Sequence, residues 1–208
     1  MKNSKVLELL EQGRIDELKA QLQDEIFTES LKTKPNAKKR YSAMKRYLKT
    51  ISPAREIITK PCEVEFEGRK YNAFTNSYSL VLTTESCGEI EMCSEPDRYP
   101  NVARLIRYGE KTEKINFNEA LAKAKSKGYK YTKHAIMSNE YLLYYEGAYF
   151  RTALVDVTYG LLDNGEDITV YYDGPLKPIT IENEIGVAII LPIRYDGDAF
   201  DGVTVIEV

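Results

Sequence analysis

The stretch KPNAKKRYSAMKRYLKT, residues 34–50, holds the densest set of cations in the chain. No aspartate or glutamate lies between Glu29 and Glu56. At about 100° per residue, a helix here brings Tyr41, Met44, Leu48 and Ile51 onto one stripe. Lys38, Lys39, Lys45, Arg46 and Lys49 fall on the opposite stripe. One face suits a core and the other suits a polyanion. Lysine and arginine neutralise phosphates without tight geometric demands, and the released counterions drive binding. The expected chemistry is sequence-independent contact with duplex DNA. A solvated basic face on a docked helix is the alternative. A weaker version recurs in NEALAKAKSKG, residues 118–128, where Lys123 and Lys127 stand four apart with Lys125 nearby. Leu121 and Ala124 are its inward positions, Asn118 its expected N-cap and Gly128 its expected C′ residue.

The residue types that catalysis needs do not converge. His134 is the only histidine and falls in the strand-like run YKYTKHAIMS, which points to a structural role. Cys62, Cys87 and Cys93 are irregularly spaced and fit no standard zinc pattern. Glu63, Glu65 and Glu67 alternate along a strand and share one face, expected to be wet. The pairs Tyr144-Tyr145 and Tyr171-Tyr172 read as packing rather than as stacking platforms. There is no glycine-rich phosphate loop and no Gly-x-Ser-x-Gly elbow. No catalytic residue, metal or cofactor is assigned. An enzyme would have to assemble its site from dispersed Asp, Glu and Tyr, marked by a deep pocket of perturbed carboxylates.

The chain has 208 residues, 43% of them apolar and 29% charged, with a formal net charge of −3. That is enough for one sizeable core, and the balance by itself favours neither nucleic acid nor membrane. No apolar run is long enough to span a bilayer. MKNSKVLELLEQG reads as an amphipathic helix rather than a signal peptide. With the odd cysteine count, this suggests a reducing, cytoplasmic setting.

Three regions must position these groups. Residues 1–52 form an N-terminal helical segment. Val6, Leu9 and Leu10 share a face that ends at Gly13, then Ile15, Leu18, Leu22 and Ile26 form a second stripe, and a third helix covers about 37–50. Residues 53–111 read as antiparallel strands (EIITKPCEVEFEG, RKYNAFT, YSLVLTT, EIEMC) plus a linker with two prolines, 94–112. Residues 112–208 read as KINF, the helix at 118–128, the strands YKYTKHAIMS and EYLLYYEG, and the helix AYFRTALVDVTYGLL. The strands DITVYYDG, KPITIEN and GVAIILPIR follow, and the tail adds one edge strand. The fold class is α+β, mainly antiparallel sheets with helices packed on one face. A helix followed by a β meander recurs in pattern.

Four stretches, in their order, resemble the processivity (sliding) clamp of bacterial DNA polymerase. YNAFTNSYSL is similar to a clamp hairpin with a small threonine-containing turn. YPNVARLI is similar to the linker between clamp domains. INFNEALAKAK is similar to the strand and helix that open a clamp domain. DITVYYDGPLKPITIENEIGVAIILPIR is similar to the closing strands, which end in the signature occupied by Leu191, Pro192, Ile193 and Arg194. The resemblance covers roughly residues 55–194. It implies a non-enzymatic ring, with sheets outside and basic helices lining a hole around duplex DNA. Such a ring tethers a DNA polymerase or other replication protein and raises its effective concentration. The signature borders the partner-peptide pocket in that family, which implies Pro192, Ile193 and Arg194 as partner-binding residues. The acidic tail after Arg194 could cover or replace that pocket. The chain is much shorter than a bacterial clamp subunit, so a closed ring needs a homo-oligomer of more copies. The helix expected at 149–162 carries only Arg151 as a cation and includes Asp156. The alternative is a clamp-derived interaction module of a phage or mobile element that forms no ring. It would use a sheet edge or the N-terminal helices.

Overall fold

The computed structural model describes residues 3–34, 36–132, 134–194 and 202–208. Its helices are α1 (Asn3–Glu11), α2 (Ile15–Ser30), α3 (Ala37–Leu48), α4 (Phe117–Ser126) and α5 (Thr152–Tyr159). Its strands are β1 (Cys62–Phe66), β2 (Arg69–Thr75), β3 (Ser79–Thr83), β4 (Lys111–Ile115), β5 (Tyr141–Tyr145), β6 (Ala148–Arg151), β7 (Ile168–Tyr172), β8 (Ile179–Asn183), β9 (Gly186–Ile190) and β10 (Thr204–Glu207). The molecule is α+β.

Seven strands form one antiparallel sheet in the order β1-β2-β3-β9-β8-β7-β4. The turn between β1 and β2 is Glu67-Gly68, both at positive φ, as a tight hairpin with the right strand twist requires. Glu146-Gly147 makes the same turn between β5 and β6. At the centre, β3 pairs with β9, with Val81 opposite Ala188. Every residue of both strands is buried, the polar ends Ser79 and Thr83 of β3 included, so neither strand shows a wet face.

Period-two alternation sorts the flanking side chains into two cores. Phe74, Val81, Ala188, Ile181 and Val170 face the helices. Ala73, Leu80, Leu82, Val187 and Ile189 face the opposite way. That second face is covered by Ile51 and Ile58 and by Tyr99, Val102 and Ile106. The segment expected as a linker between regions is therefore a strap on the sheet. The Tyr99 hydroxyl donates to the Ala73 carbonyl at 3.2 Å, which ties the strap down.

The helix-plus-meander pattern appears as two units, α3-β1-β2-β3 and α5-β7-β8-β9. Six of the seven strands are arranged symmetrically about β3–β9, with β4 added outside β7, and α3 packs against α5 beneath them. Gly160 permits this approach, because a Cβ there would lie 3.1 Å from Ala43 Cβ. A second sheet, in the order β10-β5-β6, packs on the other side of α5. The tail strand is present as β10, parallel to β5.

Three expected elements differ. EIEMC is a loop, and the described residues of YKYTKHAIMS, 129–132 and 134–138, are loop with a short 3-10 turn at Ala135–Met137. AYFR is strand β6, so α5 starts only at Thr152. Helix α4 is capped by Asn116, whose Oδ1 accepts from the Asn118 N–H at 3.1 Å, and not by Asn118. No described helix is long and apolar enough to cross a membrane.

Candidate nucleic-acid interface

Helix α3 carries the expected cations, and its surroundings decide what they can do. Ala37, Arg40, Tyr41, Ala43, Met44 and Tyr47 are buried, a wider inward face than one stripe. Tyr47 anchors it by hydrogen-bonding the Ser79 carbonyl at 2.9 Å.

Three of the five cations are ion-paired within the chain, although their side chains stay 56%, 40% and 36% exposed for Lys39, Lys45 and Arg46. Lys39 pairs with Asp163, which follows α5. Lys45 lies 2.5 Å from Asp24 of α2 and 4.4 Å over the Tyr41 ring. Arg46 lies 3.7 Å from Asp156 of α5 and over the Tyr131 ring. Lys38 and Lys49 are exposed, with no carboxylate at ion-pair distance among the described residues. Lys123 of α4 and Lys127, its C-cap, are both exposed, and Lys127 reaches the Val205 carbonyl at 3.4 Å. Phe117, Ala120, Leu121 and Ala124 pack inward.

The acids that meet these cations sit in built surroundings. Asp163 accepts from the Asn118 amide at 3.2 Å and from the Gly165 N–H at 3.0 Å. Its burial favours the neutral acid, but Lys39, Asn118 and Gly165 together outweigh burial and hold its pKa below the ordinary value. Asp24 behaves alike: burial opposes ionisation, and Lys45 and the Tyr41 hydroxyl overcome it. Asp156 accepts from the Tyr129 hydroxyl at 3.1 Å, and burial first, then this carboxylate, push that phenol's pKa up. Arg40 is buried and donates to the Asp163 carbonyl and to Glu85, both at 3.0 Å. The basic-face reading passed over Arg40, Asp24 and Asp163, and noted Asp156 without a partner. Asp156 inside the apolar run ALVDV was the one signal available for a buried acid needing a partner.

Helix α5 offers no open face. All eight residues of α5 are buried. Arg151, at its start, lies 5.7 Å from the Tyr78 ring and bonds Asn139 at 3.0 Å.

Pro192, Ile193 and Arg194 lie where the chain leaves the large sheet. The Leu191 N–H still donates to Tyr78, but Ile193 donates to Tyr149 of β6 at 2.8 Å. The strand stops at Pro192 because the chain crosses from one sheet to the edge of the other, at a residue with no N–H to give. Pro192 and Ile193 are half-buried and Arg194 is exposed. The acidic stretch 195–201 lies outside the described residues.

His134 sits in a turn and not in a strand. It borders two concavities. One, of about 360 Å³, is lined by Tyr129, Lys130, Glu140 and Tyr141. The other, of about 480 Å³, is lined by Ile51, Arg55, Tyr78 and Met137. Glu63 and Glu65 are exposed on β1, as expected. Of the tyrosine pairs, Tyr145 and Tyr172 are buried and stack edge-on at 5.6 Å. Among the described residues no group of three or more His, Cys, Asp or Glu could hold a metal ion. Comparison with protein-family models, curated proteins and solved structures finds no match.

Proposed function

We propose that this chain is a non-enzymatic, clamp-derived interaction module that works as a self-associating adaptor without encircling DNA. The observation that carries this is the closed helical layer. Helix α5 is wholly buried, and Lys39, Lys45 and Arg46 are held by Asp163, Asp24 and Asp156. Phosphates would have to compete with these carboxylates for the same cations. The palindromic pair of helix-plus-three-strand units supports a clamp-type domain as its origin.

The surface open to a partner is the α1–α2 hairpin. It bears Leu7, Leu10, Ile15, Leu22 and Ile26, five of the eleven exposed large hydrophobic residues among those described. Its occupant is a second copy of the same hairpin, which completes a four-helix arrangement. Helix α2 is self-complementary when antiparallel to itself about Asp24. Leu22 then meets the partner's Ile26, and Lys19 meets the partner's Glu29.

Light scattering, with and without a nicked circular duplex, tests this. The expected result is a dimer that ignores the circle and becomes a monomer in Leu22→Glu/Ile26→Glu. A monomeric wild type removes the self-association. A larger multimer retained on the circle and released on linearising it restores the ring.

A second reading is sequence-independent DNA contact, favoured by the exposure of Lys38, Lys49 and Lys123. On that reading Lys45→Glu with Lys49→Glu weakens binding equally on all sequences and flattens its salt dependence.

A further inference from the structure

Two of the three cysteines meet beneath the edge of the large sheet. Cys62 opens β1 and is 1% exposed. It belongs to the core between sheet and strap, with Ala73, Leu82 and Tyr99. Cys93 packs against the same cluster from the loop that follows β3. Its N–H donates to the carbonyl of Pro61, the residue before Cys62, at 2.8 Å. Such a bond holds two chain segments at strand spacing, about 5 Å. That lies inside the Cα separation a disulfide spans, roughly 4.4–6.8 Å. The Cys62 thiol donates to the Glu63 carbonyl at 3.5 Å, and the Cys93 thiol lies close enough to act on it electrostatically. Cys93 is partly exposed and lines a concavity of about 350 Å³ with Glu56, Lys60, Glu95 and Arg98. Cys87 is buried in the other core, on the helical side of the sheet.

We propose that Cys62 and Cys93 are a reversible dithiol–disulfide pair, oxidised by a low-molecular-weight disulfide that enters at Cys93. The Cys93 thiolate attacks one sulfur of the incoming disulfide, for example oxidised glutathione. That S–S bond breaks, one glutathione leaves as thiolate and takes up a proton, and a mixed disulfide stays on Cys93. The Cys62 thiolate then attacks the Cys93 sulfur and expels the second glutathione, which is protonated in turn. The protein loses two electrons and two protons, and glutathione disulfide gains them as two thiols. The product ties the loop after β3 to the start of β1.

The second step sets the pace. Burial above all, and then the Cys93 thiol, push the Cys62 thiol up to about 11, with Glu63 adding to the effect. The Tyr99 phenol also faces the pair, and Arg98 faces Cys93. Burial alone pushes Cys87 up to about 12. Below its pKa, the thiolate fraction of Cys62 rises about tenfold per pH unit, so closure is about a hundredfold faster at pH 9 than at pH 7.

The test is to incubate the reduced protein with oxidised glutathione at both pH values, quench with acid, alkylate and map by mass spectrometry. The expected product is two hydrogens lighter, joins Cys62 to Cys93 and leaves Cys87 alkylatable. Cys62→Ser stops at a glutathione adduct on Cys93, and Cys93→Ser leaves Cys62 unmodified. A wild-type protein that stops at the Cys93 adduct at pH 9 overturns the proposal. A bond that includes Cys87 does so as well.

Discussion

Asp163 shows how one residue ties the basic face of α3 to the rest of the fold. Its side chain is 1% exposed, and it gathers Lys39, Asn118 and the Gly165 N–H, while its carbonyl takes Arg40. Removing its charge leaves Lys39 beside a neutral amide, while Arg40 keeps the Asp163 carbonyl and Glu85. Asp163→Asn is expected to cost about 1–2 kcal/mol, because the acid is buried but Lys39 stays half exposed, read as a lower urea midpoint with an unchanged slope. The pH dependence follows from the direction of the shifts. Folding holds the pKa of Asp24 and Asp163 below their ordinary 3.8. Their contribution is therefore complete above that value and is lost as pH falls through the lower, folded one. Thermal melts should show stability dropping below about pH 4, with a shallower drop in Asp163→Asn. The cations of residues 38–49 were legible in the sequence because they are dense and periodic. Their partners were not, since Asp24 and Asp163 reach α3 from 21 and 124 residues away. Only the fold brings those distances to zero.

At the level of elements, helical spacing located α1 to α4, and the Glu-Gly dipeptides mark both tight hairpins. What failed was the reading of short aromatic runs. YKYTKHAIMS has the composition of a strand, yet Tyr129 and Ile136 are drawn into the helical core and the backbone turns. AYFR pairs with YLLYY through Glu146-Gly147, and that hairpin takes the first turn from the expected helix. Composition cannot separate these outcomes, because cross-strand partners decide them. The same dependence makes the central pairing easy to break. A Cβ on Gly186 would lie 2.0 Å from the Leu82 carbonyl oxygen, inside the β3–β9 ladder. Gly186→Ala should cost at least about 2 kcal/mol in chemical denaturation. A change within about 0.5 kcal/mol would show that the two strands can separate freely there.

For the whole molecule, that ladder joins residues 53–111 to residues 112–208 in one sheet, with a strap from the first region over its outer face. Calorimetry should therefore give one cooperative transition with matching calorimetric and van't Hoff enthalpies. Two resolved transitions would mean that the regions melt as separate units. The seam also has a cost in time. Its partners lie about a hundred positions apart, with Thr84 bonded to Ile185 across 101 of them. Contacts this remote slow folding, because a long loop must close before they form. Until β9 arrives, SLVLT is the open border of a half-finished sheet. Such a border is a template for any neighbouring chain. The pairing that makes the finished protein a single body thus makes the newly made one prone to aggregate, and its yield should depend on how crowded it is while waiting.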